Sequence, residues 1–132
     1  MERYVAMIST DEDDRYITES TLTEIENHIP IKYLRSISDL DQSITTEGMP
    51  SVILLNDRGI THSSDQWLKQ LKHHTSYNHI PVVILGEVST EEYIHDCYRA
   101  GANTFITKPS SVAETKKKIE TFFRYWFDVA AV

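Results

Sequence analysis

SVILLNDRGI, residues 51–60, joins Val52, Ile53, Leu54 and Leu55 in an unbroken apolar run that stops at Asn56-Asp57-Arg58-Gly59. A strand with one face in water alternates polar and apolar side chains. A run with no alternation suits a strand covered on both faces, which is the situation in a parallel sheet. The polar and glycine residues that follow are turn formers. YVAMI at 4–8 and VVIL at 82–85 read the same way, and IKYLRSI at 31–37 and TFIT at 104–107 complete five strand candidates.

Helix-like segments fall between them, near 12–27, 38–47, 64–74, 90–100 and 111–127. Before EEYIHDCYRA stand Ser89 and Thr90, acids fill its first turn, and Gly101 follows its last residue. A hydroxyl cap, negative charge at the positive end of the helix dipole and a glycine stop all favour a helix there. In the last segment Val112, Ile119, Phe122, Phe123 and Trp126 recur at the three-or-four spacing of a core-facing stripe, with Tyr125 and Phe127 outside it. More aromatic surface gathers in FFRYWFDVAAV than one helix face buries.

Strand and helix alternating five times predict an α/β fold, a doubly wound, five-stranded parallel (βα)5 sheet with right-handed crossovers. At 132 residues, without a linker or low-complexity segment, the chain reads as a single domain over 1–132. No segment reaches the roughly 18 apolar residues of a membrane span, and MERYVAMIST lacks the apolar core of a signal peptide. The expected location is the cytoplasm. Cys97 is the single cysteine, which excludes an internal disulfide and agrees with a reducing compartment. A formal charge of −7 disfavours nucleic acid. The one basic run, Lys116 to Lys118, reads as a solvated helix face or a docking patch for an acidic partner.

Sheets of this kind place ligands at the carboxyl ends of their strands. Those ends carry Ser9-Thr10-Asp11, Asn56-Asp57, Gly86-Glu87 and Thr107-Lys108-Pro109. Together with MISTDEDDR, PSVILLNDRGI, HIPVVILGEVSTEE, AGANTFITKPS and the closing KKKIETFFRYWF, they resemble the receiver domain of two-component response regulators. The likeness is to the stand-alone type built like the chemotaxis regulator, with a flavodoxin-like fold, and it runs along essentially the whole chain. The resemblance implies aspartyl phosphorylation. A carboxylate ending strand 3 attacks phosphorus, two acids after strand 1 help hold Mg²⁺, a lysine ending strand 5 pairs with the phosphoryl oxygens, and a hydroxyl ending strand 4 answers the phosphate. Phosphoryl transfer depends on positioning and charge neutralisation, which gives each part its task.

Carried across, the phosphoacceptor position falls on Asn56, the acidic pair on Ser9 and Thr10, the switch hydroxyl on Gly86 and the phosphate-pairing lysine on Lys108, followed by Pro109. Phe105 takes the aromatic switch position. Only the lysine is retained. A carboxamide is a poor nucleophile, neutral hydroxyls do little to draw Mg²⁺ from water, and glycine has no side chain with which to respond. Four departures in one pocket lead to a degenerate site, a pseudo-receiver with no catalytic residues and no cofactor, acting through protein contacts. A sensor kinase, another signalling protein or a second copy, docked on the last two helices and strand 5, is the expected partner.

Two rival readings have their own residues. Asp57 or Asp11 could serve as a displaced phosphoacceptor or metal ligand, although neighbouring strand side chains point to opposite faces, so Asp57 faces away if Asn56 faces the pocket. The acidic run Asp11 to Asp14 reads equally as charge at a helix start. A flavodoxin-like enzyme binding a nucleotide or flavin would need a glycine- or hydroxyl-rich phosphate loop. The loop after strand 1 is acidic instead, and none of the four glycines forms such a cradle.

Overall fold

The computed structural model describes residues 3–9, 12–24, 29–57, 64–86, 90–108 and 111–130, without the side chains of 12–14, 57 and 64–66. Five strands, β1 (Val5–Ile8), β2 (Ile31–Leu34), β3 (Val52–Asp57), β4 (Val82–Gly86) and β5 (Thr104–Thr107), alternate with five helices. These are α1 (Glu12–Glu24), α2 (Ser38–Glu47), α3 (Ser64–His73), α4 (Glu91–Ala100) and α5 (Val112–Phe123). All pairings are parallel, in the order β2-β1-β3-β4-β5. The order reverses between β1 and β3, which opens a crevice at their carboxyl ends.

The apolar runs fill two cores because successive strand residues face opposite ways. Ala6, Ile8, Ile53, Leu55, Val82 and Ile84 pack on one face with Leu40, Leu68, Leu71 and Cys97 from α2, α3 and α4. Val5, Met7, Val52, Leu54, Val83 and Leu85 pack on the other with Ile119, Phe122 and Phe123 of α5. Cys97 is fully buried. No helix among the described residues is long and apolar enough to cross a membrane.

Local chemistry sets the ends of α4. The Thr90 hydroxyl accepts from the Tyr93 amide at 3.2 Å, and Gly101 closes the helix at φ +118°, a conformation that a side chain rarely adopts. Asn103 then pins β4 to β5: its amide donates to the Val82 carbonyl at 2.8 Å, and its Oδ1 accepts from the Val82 amide at 2.9 Å.

Three expectations are corrected. Strand 2 ends at Leu34 and not at residue 37, because the Arg35 amide donates to the Asp39 carboxylate at 3.3 Å as the chain turns into α2. Val112 is 56% exposed, at the first position of α5, and is not part of the core stripe. Phe127 is buried, as is Trp126. Beyond Phe123 the helix widens into a π turn, Arg124–Val129, with the Ala130 amide bonded to the Tyr125 carbonyl at 2.7 Å. The wider turn brings Phe127 beneath Phe123, ring on ring at 5.8 Å, with the Arg3 guanidinium 5.2 Å from its centroid. Most of the aromatic surplus is therefore internal, and Tyr125 is the ring of this segment that stays exposed.

Candidate functional site

The crevice at the carboxyl ends of the strands brings Asn56 and Ser9 together, with Lys108 at the end of β4. Asn56 is the fifth residue of β3, in register with Leu85 of β4. It is only 6% exposed, and its Nδ2 donates to the Ser9 Oγ at 2.8 Å. Ser9 follows β1 and is held by its own amide, which donates to the Leu34 carbonyl at 2.9 Å. The positions matching the phosphoacceptor and the first of the acidic pair are thus bonded to each other as neutral groups. Lys108 is placed beside the end of β4 by its amide, which donates to the Gly86 carbonyl at 2.7 Å. Thr10, Asp11 and Pro109 lie outside the described residues. Asp57, the last residue of β3, is in register with Gly86 of β4, and its side chain is also outside the described set.

Mg²⁺ demands near-ideal octahedral geometry and is usually held through carboxylates. The described side chains joined at the crevice are a hydroxyl and a carboxamide that spends an N–H on that hydroxyl. This set does not fit the ion. Among the described residues no group of three His, Cys, Asp or Glu side chains could hold a metal. His74 stacks on Tyr77 at 3.8 Å and accepts at Nδ1 from the Ser76 amide at 3.2 Å.

Gly86 and Phe105 meet at the rim of the crevice. A Cβ built on Gly86 would stand 2.6 Å from the Phe105 Cζ. The ring thus fills the space that a side chain at position 86 would occupy. Sequence reading identified both residues but not their contact. The available signal was a glycine ending an otherwise branched strand, which marks a close approach.

Beside this rim lies a groove of about 920 Å³ between β5 and α5, lined by Phe105, Thr107, Lys117, Lys118, Tyr125 and Trp126. The basic run divides into separate tasks. Lys116 pairs with Glu24 of α1 at 2.6 Å, Lys118 donates to the Thr107 carbonyl at 2.7 Å, and Lys117 stays exposed along the groove. Strand β5 is an edge of the sheet, and its Phe105 amide is taken by the Tyr98 hydroxyl of α4 at 2.9 Å. Sequence reading missed this Tyr98 contact.

The fold defined by these elements is the flavodoxin-like fold of response regulator receivers. A receiver domain from Rhodospirillum rubrum superposes with a TM-score of 0.82 at 25% identity, covering 98% of this chain and 96% of that one. A response regulator from Hahella chejuensis gives 0.84 at 18% identity, with 99% of each chain covered. The phosphorylated cyanobacterial phytochrome response regulator RcpA gives 0.84 at 18%, covering 99% of this chain and 98% of that one. No family model matches the sequence. A curated relative described as "Probable methanogenesis regulatory protein FilR2", from Methanothrix harundinacea, is 27% identical over 78 residues, 59% of this chain. The match spans half of that relative's length.

Proposed function

We propose that this chain is a signalling module of the receiver kind that works as a pseudo-receiver, through protein contacts and without phosphorylation at Asn56. The observation that carries the reading is the bond from Asn56 to Ser9. In a working site these two positions would repel each other as carboxylates until a divalent ion bridged them. Here one direct hydrogen bond between neutral groups joins them. The module is not an enzyme and takes no cofactor. It acts in the cytoplasm, and its partner is a sensor kinase, another signalling protein or a second copy of itself, met on the face built by α4, β5 and α5. Lys117 and Lys118 at the groove suit an acidic partner, and the charge of −7 argues against nucleic acid.

Incubation of the full chain with acetyl phosphate and Mg²⁺, followed by intact mass measurement, tests this reading. The expected result is an unchanged mass. A stoichiometric gain of one phosphoryl group, mapped to Asp57 or Asp11, would overturn it in favour of a displaced phosphoacceptor.

A further inference from the structure

We propose that Gly86 and Phe105 form a steric lock that holds the α4–β5 face in a single arrangement, whatever occupies the crevice. Gly86 is not at a left-handed φ, so no turn demands glycine there. Space demands it. A Cβ would lie 2.6 Å from Phe105 Cζ, closer than carbon contacts allow, and 3.1 Å from Cε1, so the ring would have to shift. Because glycine leaves this room, the ring sits against the backbone of β4.

Phe105 is tied to the neighbouring helix at two points, one on its ring and one on its backbone. Tyr93 meets the ring edge-on, with centroids 6.3 Å apart and planes at 88°. The Tyr98 hydroxyl accepts from the Phe105 amide at 2.9 Å, so backbone and ring of one residue are both held from α4. Phe105 also lines the groove between β5 and α5. A side chain at position 86 would drive the ring out of its seat, carry Tyr93 with it and strain the Tyr98 bond. Glycine prevents this. As packing, the lock stands without any functional assignment. As control of a docking face, it rests on the reading that the α4–β5–α5 face is the contact surface.

The test uses the full chain in solution. Wild-type protein should show nuclear Overhauser contacts between the Gly86 α protons and the Phe105 ring, and slow hydrogen exchange at the Phe105 amide. Gly86→Ala should abolish the ring contact and speed exchange at that amide by about tenfold or more through local opening. Adding Phe105→Leu to Gly86→Ala removes the colliding atom and should slow exchange again. Ring contacts and exchange unchanged in Gly86→Ala, or a double variant exchanging as fast as the single one, would overturn the lock. If Gly86→Ala fails to fold, the wild-type spectrum decides, because absence of the contact from the Gly86 α protons to the Phe105 ring defeats the proposal. None of these readouts responds to acetyl phosphate, so the lock and the pseudo-receiver reading fail separately.

Discussion

Asn56 Nδ2 and Ser9 Oγ lie 2.8 Å apart, joining the ends of β1 and β3 across the crevice by one hydrogen bond. Because Asn56 is buried, removing the donor leaves a group that water does not readily replace. Asn56→Ala should lower stability by about 1–2 kcal/mol in urea unfolding. Asn56→Asp restores the nucleophile without the acids that hold a metal. After acetyl phosphate and Mg²⁺ its intact mass should stay unchanged. A stoichiometric phosphoryl gain in that variant would show that the amide alone keeps the site silent.

Tyr33 gives a pH-dependent prediction. Its hydroxyl is buried with no hydrogen-bond partner among the described residues, while the Arg15 guanidinium lies 4.4 Å from its ring centroid. Burial, helped by Glu19 and opposed by Arg15, pushes the phenol up to about 12 from the usual 10.0. The folded state then holds its proton more tightly than the unfolded one, so the contribution is complete below pH 10.0 and is lost as pH rises through about 12. Tyr33→Phe should weaken this alkaline loss. It should also leave neutral-pH stability unchanged or raised by about 1 kcal/mol, since an unpartnered buried hydroxyl is removed. Thermal unfolding at pH 7 and pH 11 checks both.

Gly101 combines two constraints. Its φ is +118°, and a Cβ there would stand 2.6 Å from the Lys72 Cγ. Lys72 is held in place by its ammonium, which donates to the Ile80 carbonyl at 3.0 Å. Gly101→Ala should therefore destabilise by about 1–3 kcal/mol, chiefly through backbone strain. Lys72→Ala in the same background should recover only the smaller, steric part. A fully rescued double variant would contradict that order of causes.

The π turn separates its aromatic residues by consequence. Phe127→Ala opens a hole between Phe123 and Arg3 and should cost about 3–5 kcal/mol. Tyr125→Ala, half exposed at the groove, should cost under about 1 kcal/mol. Equal losses in chemical unfolding would mean that the turn does not seat Phe127 in the core.

The strands and the caps of α4 were legible because their causes are local. Continuous apolar runs declare strands covered on two faces, and Thr90 and Gly101 mark a helix by their own hydrogen bonding and backbone freedom. Strand 2 was overread because the capture of the Arg35 amide by Asp39 leaves no trace in hydrophobic pattern. The π turn was not legible either. Phe122 with Trp126, and Phe123 with Phe127, fit ordinary helical spacing equally well, and only the packed core selects which rings go inward. At the site, the position of Asn56 followed from where its apolar run stops. Its bond to Ser9 depends on the register of β1 beside β3, and the meeting of Gly86 with Phe105 depends on β4 lying beside β5. Such relations between strands appear only once the sheet is assembled.

Tyr98 and Lys118 occupy the Phe105 amide and the Thr107 carbonyl at the outer margin of β5. An extended polypeptide arriving at that margin finds these two rungs already taken, so templated growth into cross-β fibres has no start there. Replacing Tyr98 and Lys118 together should raise thioflavin-positive material in crowded solutions above the level of the unaltered protein.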